Sequence, residues 1–254
     1  MALTHPLSMQ LYSARKFPPV EAQLAATAKA GFDSVETFGG FYEDARESRR
    51  LFDKHGLSAR SGHFSLSMAE EQSDMALDIA QTLGIPIVIV PHIAAENRPN
   101  DPAGWAALGE RLAKISAWFA AKRLRFAWHN HDFEFKALSD GSMPIEHILG
   151  KHVLWEADVA WIARASVDPK PWIERYRRRI PCVHVKDIAP AGQNQDEDGW
   201  ADVGQGVLPW ADLWRLCVDC GAEIMVAEHD NPSDFDRFAS VSASAMRGFV
   251  AGEK

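Results

Sequence analysis

Phe126-Ala-Trp-His-Asn-His-Asp-Phe-Glu134 is the stretch whose reading decides the fold. It begins as an apolar run suited to a buried strand. It then breaks, within a few residues, into two histidines, an aspartate and a glutamate. A core strand gains nothing from such a cluster, because charged groups taken out of water are costly unless paired or bound to a metal. Three later stretches have the same form: Val153-Leu-Trp-Glu-Ala-Asp158, Pro181-Cys-Val-His-Val-Lys-Asp187 and Ile224-Met-Val-Ala-Glu-His-Asp230. These four strand ends are expected to converge on one divalent metal.

Outward from these runs, short apolar segments alternate with longer amphipathic ones along the whole chain. Strands are expected at residues 7–11, 32–38, 57–64, 85–91, 124–131, 153–158, 180–186 and 223–228. Helices are expected at 20–30, 43–55, 67–83, 102–122, 144–149, 169–178, 209–220 and 234–248, several of them stopped by glycine. Residues 193–206 are polar and glycine-rich and read as a long loop. Eight strand–helix units in 254 residues point to an α/β fold, a closed (β/α)8 TIM barrel, forming a single domain over residues 1–254. An open doubly wound sheet would carry a glycine-rich phosphate loop after its first strand. That turn is Tyr12-Ser-Ala-Arg-Lys-Phe-Pro18, which has none.

Active sites of such barrels lie at the C-terminal ends of the strands, where these polar residues fall. Alternate strand residues share a face, so Glu156 goes with Asp158, His184 with Lys186, and Glu228 with Asp230. Each alone is explained as a helix cap, a core histidine or a solvated glutamate; together, four such ends make a site. Carboxylates with an imidazole suit Mn2+, Mg2+, Co2+ or Zn2+ with positions left open for substrate oxygens. The thiolates of a structural zinc site are missing.

The formal net charge of -8, with no basic block, opposes nucleic acid as the main partner. The one basic run, Arg175 to Arg179, falls at a helix end, where it complements the helix dipole. Cys182, Cys217 and Cys220 make no disulfide framework, and the Cys217-Val-Asp-Cys220 spacing lacks the second pair a zinc site needs. No basic leader is seen, and no segment approaches the roughly 18 apolar residues of a membrane span. The expected location is cytoplasmic, with no membrane partner.

The motifs resemble those of the xylose isomerase-like TIM barrel superfamily, the sugar phosphate isomerases/epimerases. The resemblance rests on His129-Asn-His-Asp-Phe-Glu134, Asp158-Val-Ala-Trp161, Arg179-Ile-Pro-Cys-Val-His-Val-Lys-Asp187, Val203-Gly-Gln-Gly-Val-Leu-Pro-Trp210 and Ala227-Glu-His-Asp-Asn-Pro232. Gln10-Leu-Tyr-Ser-Ala-Arg15 and Ser61-Gly-His63 fit the first and third strands of that superfamily. It implies a metal, manganese first among the alternatives, held by ligands from strands five to eight. Asp158, His184 and Glu228 carry over directly. The fourth ligand is expected to be Glu134 reaching back from its loop, with His131 or His129 as the substitute, because histidine stands where epimerases carry a strand-five glutamate.

The implied activity is isomerisation or epimerisation of a keto-sugar or polyol through proton abstraction and a metal-stabilised enediolate. Dehydratase or lyase chemistry on inosose-type or 3-keto-glycoside substrates is the alternative. A DNA-repair endonuclease and a non-catalytic sugar-binding barrel are the readings from other classes. Glu134, Glu228, His131 and His63 are the expected acid–base residues. Lys186, His129, Glu36 and Trp161 are expected to contact substrate. Trp200, expected to be exposed in the long loop, leaves room for a homo-oligomer in which it covers a neighbour's site.

Overall fold

The computed structural model describes residues 6–251. Eight parallel strands close into a barrel: β1 (Leu7–Gln10), β2 (Ser34–Thr37), β3 (Ser58–His63), β4 (Ile87–Val90), β5 (Arg125–His129), β6 (Leu154–Asp158), β7 (Cys182–Val185) and β10 (Ile224–Ala227). Neighbours in the barrel follow chain order, and β10 pairs back onto β1 to close it. This is the (β/α)8 barrel that the alternation of segments predicts.

The helices around it are α1 (Val20–Ala30), α2 (Ala45–Lys54), α3 (Leu66–Glu71), α4 (Ser73–Leu83), α5 (Pro102–Ala121), α6 (Pro144–Leu149), α7 (Val159–Arg164), α8 (Pro169–Arg175), α9 (Trp210–Asp219) and α10 (Phe235–Ala251). Helix stops follow the sequence signals. Gly31, just past α1, takes φ +95°, a left-handed conformation that a side chain would oppose. Arg179, last of the basic run, donates to the carbonyls of Leu149, Gly150 and Val153 at 2.6–2.8 Å, neutralising the end of α6.

Two apolar layers result from the alternation of strand residues. Outward-facing side chains such as Phe126, Trp128, Trp155 and Val183 form the large core between barrel and helices. Inward-facing Ile87, Ile89, Ala127, Cys182, Ile224 and Val226, with Leu154, plug the barrel interior. One more step along the same inward faces leads to His129, Glu156, His184 and Glu228. The polar site is thus stacked directly on an apolar plug.

Three features depart from the sequence expectation. The helix expected at 67–83 is two helices, because Gln72 leaves helical geometry at φ -125°, ψ 37°. A helix not expected, α7, starts directly from β6, capped by Asp158, whose Oδ1 accepts from the Trp161 amide at 2.8 Å. The polar stretch 193–206 supplies one strand of a short antiparallel ribbon, β9 (Trp200–Ala201), which pairs with β8 (Asp187–Ile188) just before the stretch. This ribbon carries Trp200 inward. Trp200 is 1% exposed, packs edge-on to Trp161 at 4.8 Å, and lies under the Arg164 guanidinium at 3.6 Å. It therefore covers its own chain's site, which removes the ground for expecting it to cover a neighbour's.

The ribbon and the loop after it are anchored by two buried carboxylates. Asp187 accepts from the amides of Ile188, Gly204, Gly206 and Leu208 at 2.9–3.1 Å. A Cβ at Gly206 would stand 2.1 Å from Asp187 Oδ1, so this close approach requires glycine. Glu197 accepts from the Ser233 amide at 2.6 Å and from Arg237 at 2.7 Å, while Arg237 also holds Asp202 at 2.9 Å.

Gly206→Ala is expected to cost about 1–3 kcal/mol in denaturant unfolding, the usual range for overpacking. A second prediction concerns pH. Burial alone would raise Glu197, but Ser233 and Arg237 hold it down to about 2, against an ordinary value of 4.5. A depressed carboxylate contributes stability above about pH 4.5 and loses it as pH falls through about 2. Glu197→Gln should therefore lower the melting temperature at neutral pH and flatten its dependence between those two values, as thermal scans at a series of pH values would record.

Candidate metal centre

The site is built from strand ends. Pairing registers place Asp158 opposite His184, His184 opposite Val226, and His129 opposite Glu156. Because β6, β7 and β10 are parallel and in this register, Asp158, His184 and Glu228 are carried to one end of the barrel. Asp158 and His184 are fully buried, and Glu228 nearly so.

Glu228 Oε2 lies 3.0 Å from His184 Nδ1, and Asp158 Oδ2 lies 3.8 Å from the same nitrogen. The three donor atoms all lie within 4.8 Å of one another. Asp158 Oδ1 is used by the helix cap, but Asp158 Oδ2 is buried with no hydrogen-bond partner. A buried, unpartnered carboxylate oxygen beside a second carboxylate and an imidazole fits the needs of a divalent cation, which takes oxygen and nitrogen donors. Burial pushes Asp158 up to about 7, a bias that a bound cation would reverse.

Lys186 completes this upper tier. Its Nζ donates to Asp230 and, at 3.1 Å, to Glu228, and stands 3.8 Å from Asp158. It lies 4.1 Å from the centre of the Trp200 ring and 5.0 Å from that of Trp161. Burial opposes a charged ammonium, yet Asp230, Glu228 and Asp158 together raise its pKa above the ordinary value. Lys186 is therefore a fixed buried cation that orients Glu228.

A lower tier lies one strand step deeper. Here Glu36 Oε1 is 3.0 Å from His63 Nε2 and 2.7 Å from His184 Nε2. Glu156 Oε2 is 2.7 Å from His63 Nε2, 3.3 Å from His184 Nε2 and 3.2 Å from His129 Nδ1. Gln10 donates to Glu36 at 2.6 Å. His184 spans both tiers, Nδ1 toward Glu228 and Nε2 toward Glu36 and Glu156. Against the effect of burial, Glu156, Glu228 and Glu36 hold its pKa well above the usual range. His63 is likewise raised, to about 10, by Glu36 and Glu156.

A cavity of about 580 Å3 opens above the tiers, lined on one side by Tyr12, Phe38, Phe64 and Met68. His63, His92, His129, His131, Glu228 and Asp230 supply its polar wall. Burial, aided by the Lys186 charge, pushes His131 down to about 3, so its ring is neutral, and its Nδ1 is buried without a partner. Trp161 stands 5.1 Å from His131, packed between it and Trp200.

The sequence-based expectations divide accordingly. Asp158, His184 and Glu228 are brought together, with Lys186 against them and His131 and His129 beside them. Glu36 is fully buried beneath His184, so it supports the ring rather than facing the cavity. Glu134 is not brought to this group. Its Oε1 accepts from the Trp128 indole at 3.0 Å and its Oε2 from the His131 amide at 2.8 Å. Trp128 points out of the barrel, opposite in parity to His129, and Glu134 follows it. The residue passed over is Glu156, although its parity with Asp158 already placed it on the inward face.

A closed eight-stranded parallel barrel with buried carboxylates and imidazoles at its strand ends defines a TIM barrel carrying a metal-site candidate. Residues 24–246 match the model of the xylose isomerase-like TIM barrel, and the chain belongs to that family. No match is found among the sequences of curated proteins. Among solved structures, a sugar phosphate isomerase/epimerase from Parabacteroides distasonis ATCC 8503 superposes with a TM-score of 0.83 at 20% identity, over 98% of this chain and 96% of that one. The probable 3-DHS dehydratase AsbF from Bacillus anthracis gives 0.73 at 11% identity, over 95% and 98%. The IolI protein, solved with a bound zinc atom, gives 0.74 at 12% identity, over 97% and 98%. At these identities the likeness is one of fold. No helix among the described residues is long and apolar enough to cross a membrane.

Glu134→Gln tests the placement of that side chain. An amide would set an NH2 group against one of two N–H donors, leaving a buried group unsatisfied at about 1–3 kcal/mol. The expected result is lower stability in chemical unfolding, with bound metal unchanged in elemental analysis. Loss of metal without loss of stability would return Glu134 to the ligand set.

Proposed function

We propose that the chain is a divalent-metal-dependent isomerase or epimerase of a small keto-sugar or polyol. The observation that carries this reading is that Asp158, His184 and Glu228 each bring a buried donor atom within 4.8 Å of the others, with Glu228 also lining a sugar-sized cavity. These three residues would hold the ion, with His131 the neighbouring donor nearest in kind. When bound there, a divalent cation polarises a substrate carbonyl and acidifies the adjacent C–H.

The chain's own residues supply the rest. Glu228 borders the cavity, and the Lys186 ammonium keeps it ionised, so it is the group placed to take a proton from carbon. Its pKa, which burial alone would raise, is held well below the usual range by Lys186 and His184. Glu36 grips the Nε2 side of His184 at 2.7 Å and sets the direction of Nδ1. The aromatic wall of Tyr12, Phe38 and Phe64 excludes water from one face of the substrate and offers a stacking surface for a sugar ring. Net charge and the acidic floor of the cavity favour a neutral sugar over a phosphorylated one.

A second reading, elimination by a dehydratase or lyase, is favoured by one observation. No carboxylate from strand five reaches the site, because Glu134 is turned away and neutral His131 stands in that region. Proton removal by Glu228 on one side, with a histidine assisting a leaving hydroxyl or alkoxyl on the other, suits loss of a β-substituent.

Incubation in D2O with added Mn2+, Mg2+, Co2+ or Zn2+ and a panel of keto-sugars, inososes and 3-keto-glycosides tests both readings. Deuterium uptake at the carbon next to the carbonyl, followed by NMR, is expected for at least one substrate. Formation of an unsaturated product identifies elimination. Glu228→Gln and His184→Ala should each lower the rate by about 100-fold or more, corresponding to several kcal/mol of transition-state stabilisation. Wild-type rates in either variant would exclude the site.

A further inference from the structure

We propose that the lower tier, His63, His129, Glu156 and His184, is a second cation site lying beneath the first and sharing His184 with it. The site takes a small divalent ion of the zinc or cobalt class. This inference stands on its own donors and does not rest on the sugar reading.

The separations from Glu156 to the three rings suit a tetrahedral ion, and all four donors lie within 4.8 Å of one another. Glu156 Oε2 faces three imidazole nitrogens, His63 Nε2 at 2.7 Å, His129 Nδ1 at 3.2 Å and His184 Nε2 at 3.3 Å. A tetrahedral ion with bonds of about 2.0–2.1 Å to nitrogen and oxygen separates its ligands by roughly 3.3 Å. Two of the three separations already have that value, and the third needs to open by about half an ångström. Three imidazoles and one carboxylate are also a donor set that a zinc-class ion accepts.

Hydrogen bonding alone does not account for this tier. His129 Nδ1 stands at contact distance from Glu156 Oε2, yet makes no hydrogen bond. Glu156 Oε1 and Glu36 Oε2 are also buried without partners. Buried polar atoms are nearly always satisfied, and three exceptions within one layer mark the place where a charge is expected. An ion between the three rings and Glu156 uses the idle His129 nitrogen directly. Glu36, 2.7 Å from His184 Nε2 and 3.0 Å from His63 Nε2, borders the same point and supplies a further negative charge. Access is open, because His63 and His129 both line the cavity.

With both sites filled, His184 faces one ion through each ring nitrogen, Nδ1 toward Asp158 and Glu228 and Nε2 toward the lower donors, and to do so it releases both ring protons to solvent and binds as an imidazolate. The two sites have no other ligand in common, so each can be removed without the other. That separates failure of this proposal from failure of the first site.

The test is stoichiometry. Metal-free protein is titrated with Co2+, followed by its visible absorption, and with Zn2+, measured by elemental analysis after gel filtration. The wild type is expected to retain two equivalents. Asp158→Asn/Glu228→Gln should keep one, with the intense bands of tetrahedral cobalt, and should lose it when His129→Ala is added. His129→Ala/Glu156→Gln should keep one ion held by Asp158, His184 and Glu228. A wild type that never exceeds one equivalent overturns the proposal, and this arm needs no variant to fold. So does an Asp158→Asn/Glu228→Gln protein that is folded by circular dichroism and binds no ion while His129→Ala/Glu156→Gln binds one. The opposite pattern would leave the lower site standing and remove the upper one.

Discussion

Neutralising buried negative charge is the constraint on which the mouth of this barrel depends. Glu36, Glu156, Asp158 and Glu228 are all withdrawn from water, and a buried carboxylate must be matched by a cation or by donors. The chain supplies His63, His184 and Lys186 against them. His184 is central because its two ring nitrogens reach both tiers. Remove that ring, and the upper and lower carboxylates lose their common partner. The apolar plug below makes this arrangement unavoidable: no water reaches the charges from beneath, so every match must come from side chains or from ions entering through the cavity.

The second support is the way the loops are tied. Asp187 gathers four backbone amides, and Glu197 and Asp202 share Arg237. These contacts hold the short ribbon over the site, so Trp200 can roof the Lys186 ammonium. An aromatic face attracts a cation most strongly where water is excluded, and here the indole both excludes water and receives the charge. The ribbon thus helps keep Lys186 charged and Glu228 ionised without touching the carboxylate.

Much of this was readable in the sequence, for a physical reason. Strand residues alternate, parallel strands share a direction, and a barrel puts all its strand ends on one rim. Apolar runs ending in Asp158, His184 and Glu228 therefore announce both the fold and the meeting of those residues. Glu156 was equally visible by parity, two residues before Asp158, but a glutamate inside an apolar run reads ambiguously until the depth of the plug is known. Glu134 lies beyond its strand, where parity no longer applies, and the Trp128 indole captures it on the outer face. Trp200 sits in a polar, glycine-rich stretch, and only the pairing of Asp187–Ile188 with Trp200–Ala201 turns it inward. The break at Gln72 leaves no mark in the hydrophobic pattern. What failed, in each case, was a feature set by contacts between segments rather than by the rhythm within one.

Asp158 spends one oxygen on starting α7 and leaves the other buried and unpartnered beside His184 and Lys186. Architecture and chemistry are therefore fused in a single side chain. An asparagine there keeps the cap but removes the charge; an alanine loses both. The position has almost no freedom to vary, and the tilt of a six-residue helix on the outer wall is mechanically geared to the aim of an oxygen inside it. A push on α7 from outside would reach the candidate metal centre through the two torsions of one short side chain.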